Sequence, residues 1–307
     1  MADPENYQFL NIDLGQYVED LVDWIQTNLG GLLDAISAAI EFVVANLEGF
    51  MLWVHPLVMA AAIIILGFLR VGWGFGIFCI VAMILFFEMT LWPETMSTVA
   101  IVLSASFVAL LIGGPLGIAM ARSDKVEALV RPILDFMQTM PPFVYLIPAA
   151  IFFGLGKVPG TIATVVFAMP PAVRLTNLGI RQVHEENIEA GLAFGCTPRQ
   201  LLTKVQLPLA MPTIMQGVNQ TIMLSLSMVV IASMIGAGGL GNVVLTGIQR
   251  LNVGLGFEGG LGVVLIAILL DRVTQTFGQS GASGSPLYKY LKAMWWTRSD
   301  KDTATSG

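Results

Sequence analysis

The sequence predicts an all-α membrane protein of about seven transmembrane helices with an amphipathic helical region at its N-terminus. Three observations carry this. Mean hydropathy is +0.77. Only 12% of the 307 residues are charged, against about 25% in a soluble domain. The apolar residues gather in runs near the roughly 20 residues a helix needs to cross a bilayer, where only internally bonded backbone is tolerated.

Residues 1–50 form the first region. Residues 1–69 hold no Lys or Arg and nine acids. The region is not a signal peptide, because it lacks a basic start and a continuous apolar core. Tyr17, Leu21, Trp24, Ile25, Leu29, Leu32, Leu33, Ile36 and Ile40 recur at helical spacing, with Glu19, Asp20, Asp23 and Asp34 mostly between them. That pattern predicts an amphipathic helix, or a pair, on the outer face of the membrane. Two roles fit it, a scaffold packed on the bundle or a docking surface for an external partner.

The transmembrane domain, residues 51–278, reads as spans at about 54–69, 73–90, 96–121, 138–155, 160–178, 211–235 and 258–277. Only a short polar turn around Arg70 separates the first two. Residues 279–307 turn to Gly, Ser and Lys and are expected to form a mobile cytoplasmic tail. Lys and Arg favour the cytoplasmic side of short loops. With residues 189–208 cytoplasmic, alternation places 13 of the 15 basic residues inside and only Lys157 and Arg250 outside. The N-terminus is then periplasmic and the C-terminus cytoplasmic, in a bacterial inner membrane.

One stretch interrupts the apolar pattern: EAGLAFGCTPRQLLTKVQLPLAMP, residues 189–212. Glu186–Phe194 contains good helix formers, and Gly195 sits where a helix ends in the left-handed conformation. Thr197 suits an N-cap, Pro198 the first helical position and Gln200 the third position of a capping box. Pro208 is expected to limit the second helix. The segment therefore predicts two short helices joined by a tight Gly turn outside the bilayer, over about 185–207. On composition alone, an ordinary amphipathic connector would also fit.

The segment resembles the cytoplasmic signature of ABC importer permeases: Glu-Ala-Ala, a Gly four residues later, then an aliphatic residue and Leu-Pro. Glu189, Ala190, Gly195, Val205, Leu207 and Pro208 meet it, and Gly191 replaces the second Ala, loosening the helix by about 1 kcal/mol. DFMQTMPPFVYLIPAAIFFGLGKVPG (135–160), FAMPPAVRLTNLGIRQV (167–183) and KVQLPLAMPTIMQGVNQTIMLSLSMVVIASMIGAGGLG (204–241) extend the likeness. They resemble the permeases of the glycine betaine/proline betaine importers, the osmoprotectant type, over about residues 95–275.

The resemblance implies the type I ABC importer fold and a substrate among small quaternary amines or N-oxides, including choline, carnitine and trimethylamine N-oxide. It implies that Glu189, Ala190, Gly191, Gly195, Thr197, Pro198, Val205, Leu207 and Pro208 form a coupling element seated in an ATPase subunit. It also implies the partners: a second permease copy, two ATPases and a substrate-binding protein. No phosphate loop G-x-x-x-x-G-K-[ST] occurs; the nearest string, GLGKVPGT at 154–161, has the wrong spacing. The chain is expected to bind no cofactor and no nucleic acid, with ATP and Mg held by the partner ATPase.

A permanently cationic trimethylammonium group is held by aromatic faces. Phe136, Met140 and Phe143 share a helical face, with Tyr145 and Phe152 nearby, which also suits plain bundle packing. Asn219, Gln220 and Ser227 are polar at membrane depth and either line a cavity or bridge helices. Together Phe136, Met140, Phe143, Tyr145, Asn219, Gln220 and Ser227 are the candidate passage. Prolines 141, 142, 148, 170 and 171 predict kinked or broken spans. GAGGLG at 236–241 follows an apolar span rather than a strand, so it reads as an outer re-entrant turn or gate.

Cys79 and Cys196, with His55 and His184, are too scattered for a metal site or disulfide framework, and no convergent catalytic set is visible. Three rivals stand beside the main reading. A secondary transporter would use intramembrane acids, for which Glu88 and Asp271 are candidates near span ends. A membrane enzyme would need the catalytic set just described. An ABC permease for methionine or another small nutrient is the nearest alternative.

Overall fold

The computed structural model describes residues 14–278; the expected tail at 279–307 and the first 13 residues lie outside the described residues. Twelve α-helices follow in order among them: α1 (Leu14–Trp53), α2 (Pro56–Arg70), α3 (Trp73–Glu88), α4 (Trp92–Arg122), α5 (Asp124–Thr139), α6 (Pro142–Phe153), α7 (Lys157–Arg181), α8 (Glu185–Ala193), α9 (Pro198–Gln200), α10 (Leu207–Ala232), α11 (Gly239–Gln249) and α12 (Val253–Gly278). Among the described residues, five continuous helical segments, α1 included, are long and apolar enough to cross a membrane, six if α5 and α6 count as one broken span. The apolar α2 and α3, of 15 and 16 residues, form a hairpin besides, so the total is roughly consistent with the predicted seven.

Three features sharpen the predicted elements. The N-terminal region is one helix of 40 residues. The span predicted at 138–155 is broken, because α5 and α6 meet at 100°. Residues before proline are pushed out of the helical region, and Met140 before Pro141 is extended at ψ 135°. The third is α11, a short helix where only a turn or gate was expected.

Helix α7 sits at the centre, packed on α4 and α10. Small residues let backbones approach closely at such crossings. A Cβ on Gly117 would lie 2.6 Å from the Val173 carbonyl oxygen, and one on Gly113 would lie 3.1 Å from Ala172 Cβ. A Cβ on Gly217 would lie 3.2 Å from the Pro171 carbonyl oxygen. Buried hydroxyls add to the α4–α10 contact, Ser106 donating to Ser225 at 3.1 Å.

One end of the bundle gathers the starts of α4, α7 and α11 and the end of α10. There the Gly156 N–H donates to the Ile235 carbonyl at 2.8 Å, and the Leu240 N–H to Thr98 Oγ1 at 2.8 Å. The GAGGLG stretch makes the sharp turn into α11, with Gly236, Gly238 and Gly239 all at positive φ. Lys157 Nζ pairs with Glu48 of α1 at 2.5 Å at this end.

Candidate functional site

At the opposite end, an ion network ties α4, α5 and α7 together where α7 gives way to α8. Arg181 donates to the Met120 carbonyl at 2.8 Å and to Asp124 at 2.7 Å, and it pairs with Glu127 at 3.0 Å. Arg131 also pairs with Glu127, and Arg174 with Asp135. Most of these charges are exposed, where an ion pair contributes little. Glu127, whose side chain is 16% exposed, is the most sheltered of them.

Helix α8 follows, with Glu185 and Glu186 in its first turn, where negative charge opposes the positive end of the helix dipole. It closes in a Schellman motif: the Cys196 N–H donates to the Gly191 carbonyl at 3.1 Å, and the Gly195 N–H to Leu192 at 2.9 Å. Gly195 takes φ +77°, as the motif requires. Thr197 and Gln200 then form a capping box, with Thr197 N–H to Gln200 Oε1 at 2.9 Å and Gln200 N–H to Thr197 Oγ1 at 3.4 Å. Pro198 takes the first helical position.

Pro208 does not end the second helix. The chain runs without a break from Pro198 to Ile235. A π-helical stretch over Leu201–Gln206 joins α9 to α10, and the Leu207 N–H bonds to the Leu202 carbonyl. Proline lacks an N–H and crowds the carbonyl four residues before it; Pro208 sits in the first turn of α10, directly after the π stretch. Buried Ile180, Leu202 and Ala210 lock this junction, with Ile118, Ala121, Leu207 and Ile214 packed around them. Gly191 is buried where α8 crosses the π stretch: a Cβ there would meet Leu201 Cδ1 at 2.8 Å and Val205 Cγ2 at 3.5 Å.

The structure thus brings Gly191 and Val205 together and leaves Glu189, Ala190, Gly195, Thr197, Pro198 and Pro208 exposed, with Leu207 half-buried. Leu192 is 54% and Phe194 90% exposed at the tip of the turn. The sequence reading did not single them out, although an aromatic residue beside a C-terminal Gly was the available signal.

The candidate passage residues fall in two groups. Phe136, Met140 and Phe143 surround the α5–α6 break. Phe136 and Phe143 are 64% and 52% exposed, and Tyr145 closes the break by donating to the Met137 carbonyl. Gln220 and Ser227 lie on an exposed side of α10, together with Gln216, which the sequence reading omitted. Asn219 is not with them. Its amide donates to Asp271 of α12 at 2.9 Å and its oxygen accepts from Thr274 at 2.7 Å, so it bridges helices. Gln275 also donates to Asp271, at 2.7 Å.

Residues 113–279, which hold this junction and both groups, match the family of binding-protein-dependent transport system inner membrane components. The chain belongs to that family. This permease is 46% identical over 277 residues to the glycine betaine/proline betaine transport system permease protein ProW of Escherichia coli (strain K12), covering 89% of this chain and 77% of the relative. It is 49% identical over 280 residues to the glycine betaine/carnitine transport permease protein GbuB of Listeria monocytogenes serotype 1/2a (strain 10403S), covering 89% and 98%. Among solved structures, the inward-facing MetNI methionine ABC transporter matches at a TM-score of 0.57 and 21% identity, over 63% of this chain and 96% of that one. That likeness speaks to fold alone.

Proposed function

We propose that the permease forms, as a dimer, the passage of an ATP-driven importer for a small quaternary amine or N-oxide such as glycine betaine. Two ATPase subunits, which hold ATP and Mg, and a substrate-binding protein complete it. The observation that carries the coupling role is the exposed Leu192–Phe194 tip, built on a Schellman turn and a capping box and continuous with α10. An apolar tip on a rigid mount suits insertion into a partner's groove, with Glu189, Ala190, Gly191, Gly195, Thr197, Pro198, Val205, Leu207 and Pro208 shaping it. Phe136, Met140 and Phe143 offer aromatic and thioether faces to a cationic head, while Gln220 and Ser227 line the passage. Asn219 acts as a helix bridge and Tyr145 as a brace for the bend. The fold likeness to a methionine transporter adds nothing for methionine as substrate.

The test is uptake by proteoliposomes holding the permease, its ATPase and its binding protein, with glycine betaine, choline and trimethylamine N-oxide in parallel. ATP-dependent accumulation of one of them is expected, and no ATP hydrolysis by the purified permease alone. Accumulation without nucleotide, or hydrolysis that persists after every other subunit is removed, would overturn the reading.

The charge distribution supports a cytoplasmic location for the α8–α9 end. In a chain freed of native cysteines, Asp34→Cys should react with impermeant reagents from outside and Lys289→Cys only after permeabilisation. Reversed labelling would remove the coupling role along with the orientation.

A further inference from the structure

We propose that the break between α5 and α6 is the hinge of the passage, latched by the hydroxyl of Tyr145. This rests on the coupling role given above to the α8–α9 end.

The break has a local cause and a single fastening. Pro141 and Pro142 have no N–H, so the carbonyls four residues before them, those of Met137 and Gln138, lose their helical donors. The chain turns at Met140, extended at ψ 135°, and α6 leaves α5 at 100°. Tyr145 Oη, in the first turn of α6, donates to the Met137 carbonyl, the acceptor that an N–H at position 141 would have served. Among the described residues this is the one hydrogen bond that joins α5 to α6.

The two halves are held by different parts of the bundle. Leu134 and Met137 of α5 are buried with Met120 and Val173, and Arg181 and Arg174 of α7 grip Asp124, Glu127 and Asp135. Arg181 is the last residue of α7, and α8 begins at Glu185. Leu146 and Ala149 of α6 are instead buried with Ala163 and Met228, and Gln26 of α1 donates to the Ile151 carbonyl at 2.9 Å. No described residue belongs to both clusters. Between its two attachment points, Ala163 and Val173, α7 carries Pro170 and Pro171, which weaken its own bonding there.

Helix α5 is therefore tied to the coupling end and α6 to the outer end, with Tyr145 as the fastening between them. Displacement of α8 reaches α5 through Arg181. Hinges concentrate their backbone change in a few residues at the ends of elements, and Met140 is such a place. With the Tyr145 bond released, α5 swings about it while each half keeps its own buried cluster. Phe136 and Phe143 stand on either side of the joint, 64% and 52% exposed. The swing changes the gap between the faces offered to a cationic head.

The test uses the permease with its ATPase and binding protein in lipid vesicles, with Cys79→Ser and Cys196→Ser as background. Labelled chains are diluted so that one copy per dimer carries spin labels. One pair spans the joint, Leu129→Cys with Ile147→Cys, and one stays on the inner side, Leu129→Cys with Leu178→Cys; all three positions are exposed. On trapping with ATP and vanadate the first distance should change by about 5 Å or more, one helical turn, while the second holds. Tyr145→Phe should populate the trapped distance several-fold more often without nucleotide. Pro141→Ala gives the Met137 carbonyl an N–H donor, and in that background Tyr145→Phe should change nothing further. The pairs in the chain with Tyr145 intact keep the result readable if a substituted chain fails to fold. A fixed distance between 129 and 147 alongside normal coupled uptake overturns the hinge and leaves the coupling reading standing. Equal movement of both pairs, or additive effects of Tyr145→Phe and Pro141→Ala, also overturns it. Absence of ATP-driven uptake overturns the coupling reading and the hinge with it.

Discussion

Replacing Gly195 by Val should leave the permease inserted and purifiable but separate ATP hydrolysis from uptake. The left-handed conformation at φ +77° costs a residue with a side chain roughly 1–2 kcal/mol, and β-branching adds to this. A Cβ at Gly195 meets nothing within 4 Å in the chain, so the fold itself has room for it. The damage falls on the shape of the turn that presents Phe194. Gly195→Asn, which tolerates this conformation, should retain most coupling. Glu189→Ala should act in the same direction more mildly, by about 1–3 kcal/mol if it bonds a charged partner. Substrate-stimulated hydrolysis and uptake are measured in the same proteoliposomes. Normal rate and stoichiometry in Gly195→Val would remove the segment from the coupling path.

A larger structural effect is expected at the α4–α7 crossing. A Cβ on Gly117 would lie 2.6 Å from the Val173 carbonyl oxygen and 2.6 Å from Thr176 Cβ. A backbone atom cannot rotate aside, so Gly117→Val must separate the two helices. Small-to-large changes in packed cores cost about 1–3 kcal/mol, occasionally more; this one should exceed about 3. The variant should melt far below the native chain in detergent, or fail to elute as a single species. Gly114→Val is the control, because a Cβ at Gly114 meets nothing within 4 Å. Equal melting of the two variants would show that the crossing tolerates the side chain.

These two glycines also show what was legible in the sequence. Gly195, Thr197, Pro198 and Gln200 were readable because turns and caps are local: the residues that bond one another stand within a few positions. Gly117 has the same composition signal as Gly114, three residues earlier, and only the approach of α7 tells them apart. Asn219 posed the same difficulty. Its partners, Asp271 and Thr274, lie 52 and 55 residues away, so its choice between cavity and bridge depended on tertiary contact. The Pro141–Pro142 pair announced a break but not its 100° angle. Pro208 misled for a physical reason, since a proline can stand inside a continuous helix when an adjoining π stretch changes the local bonding.

That π stretch fixes an angular phase. Each residue added to or removed from a helix turns everything beyond it by about 100° and shifts it by about 1.5 Å. The six residues Leu201–Gln206 stand between the Phe194 tip and the side of α10 that bears Gln216, Gln220 and Ser227. They work as a gear tooth, setting which way that side points relative to the tip. If the stretch were rewound as ordinary α-helix, the polar row would turn with it, with no change in any of its own residues.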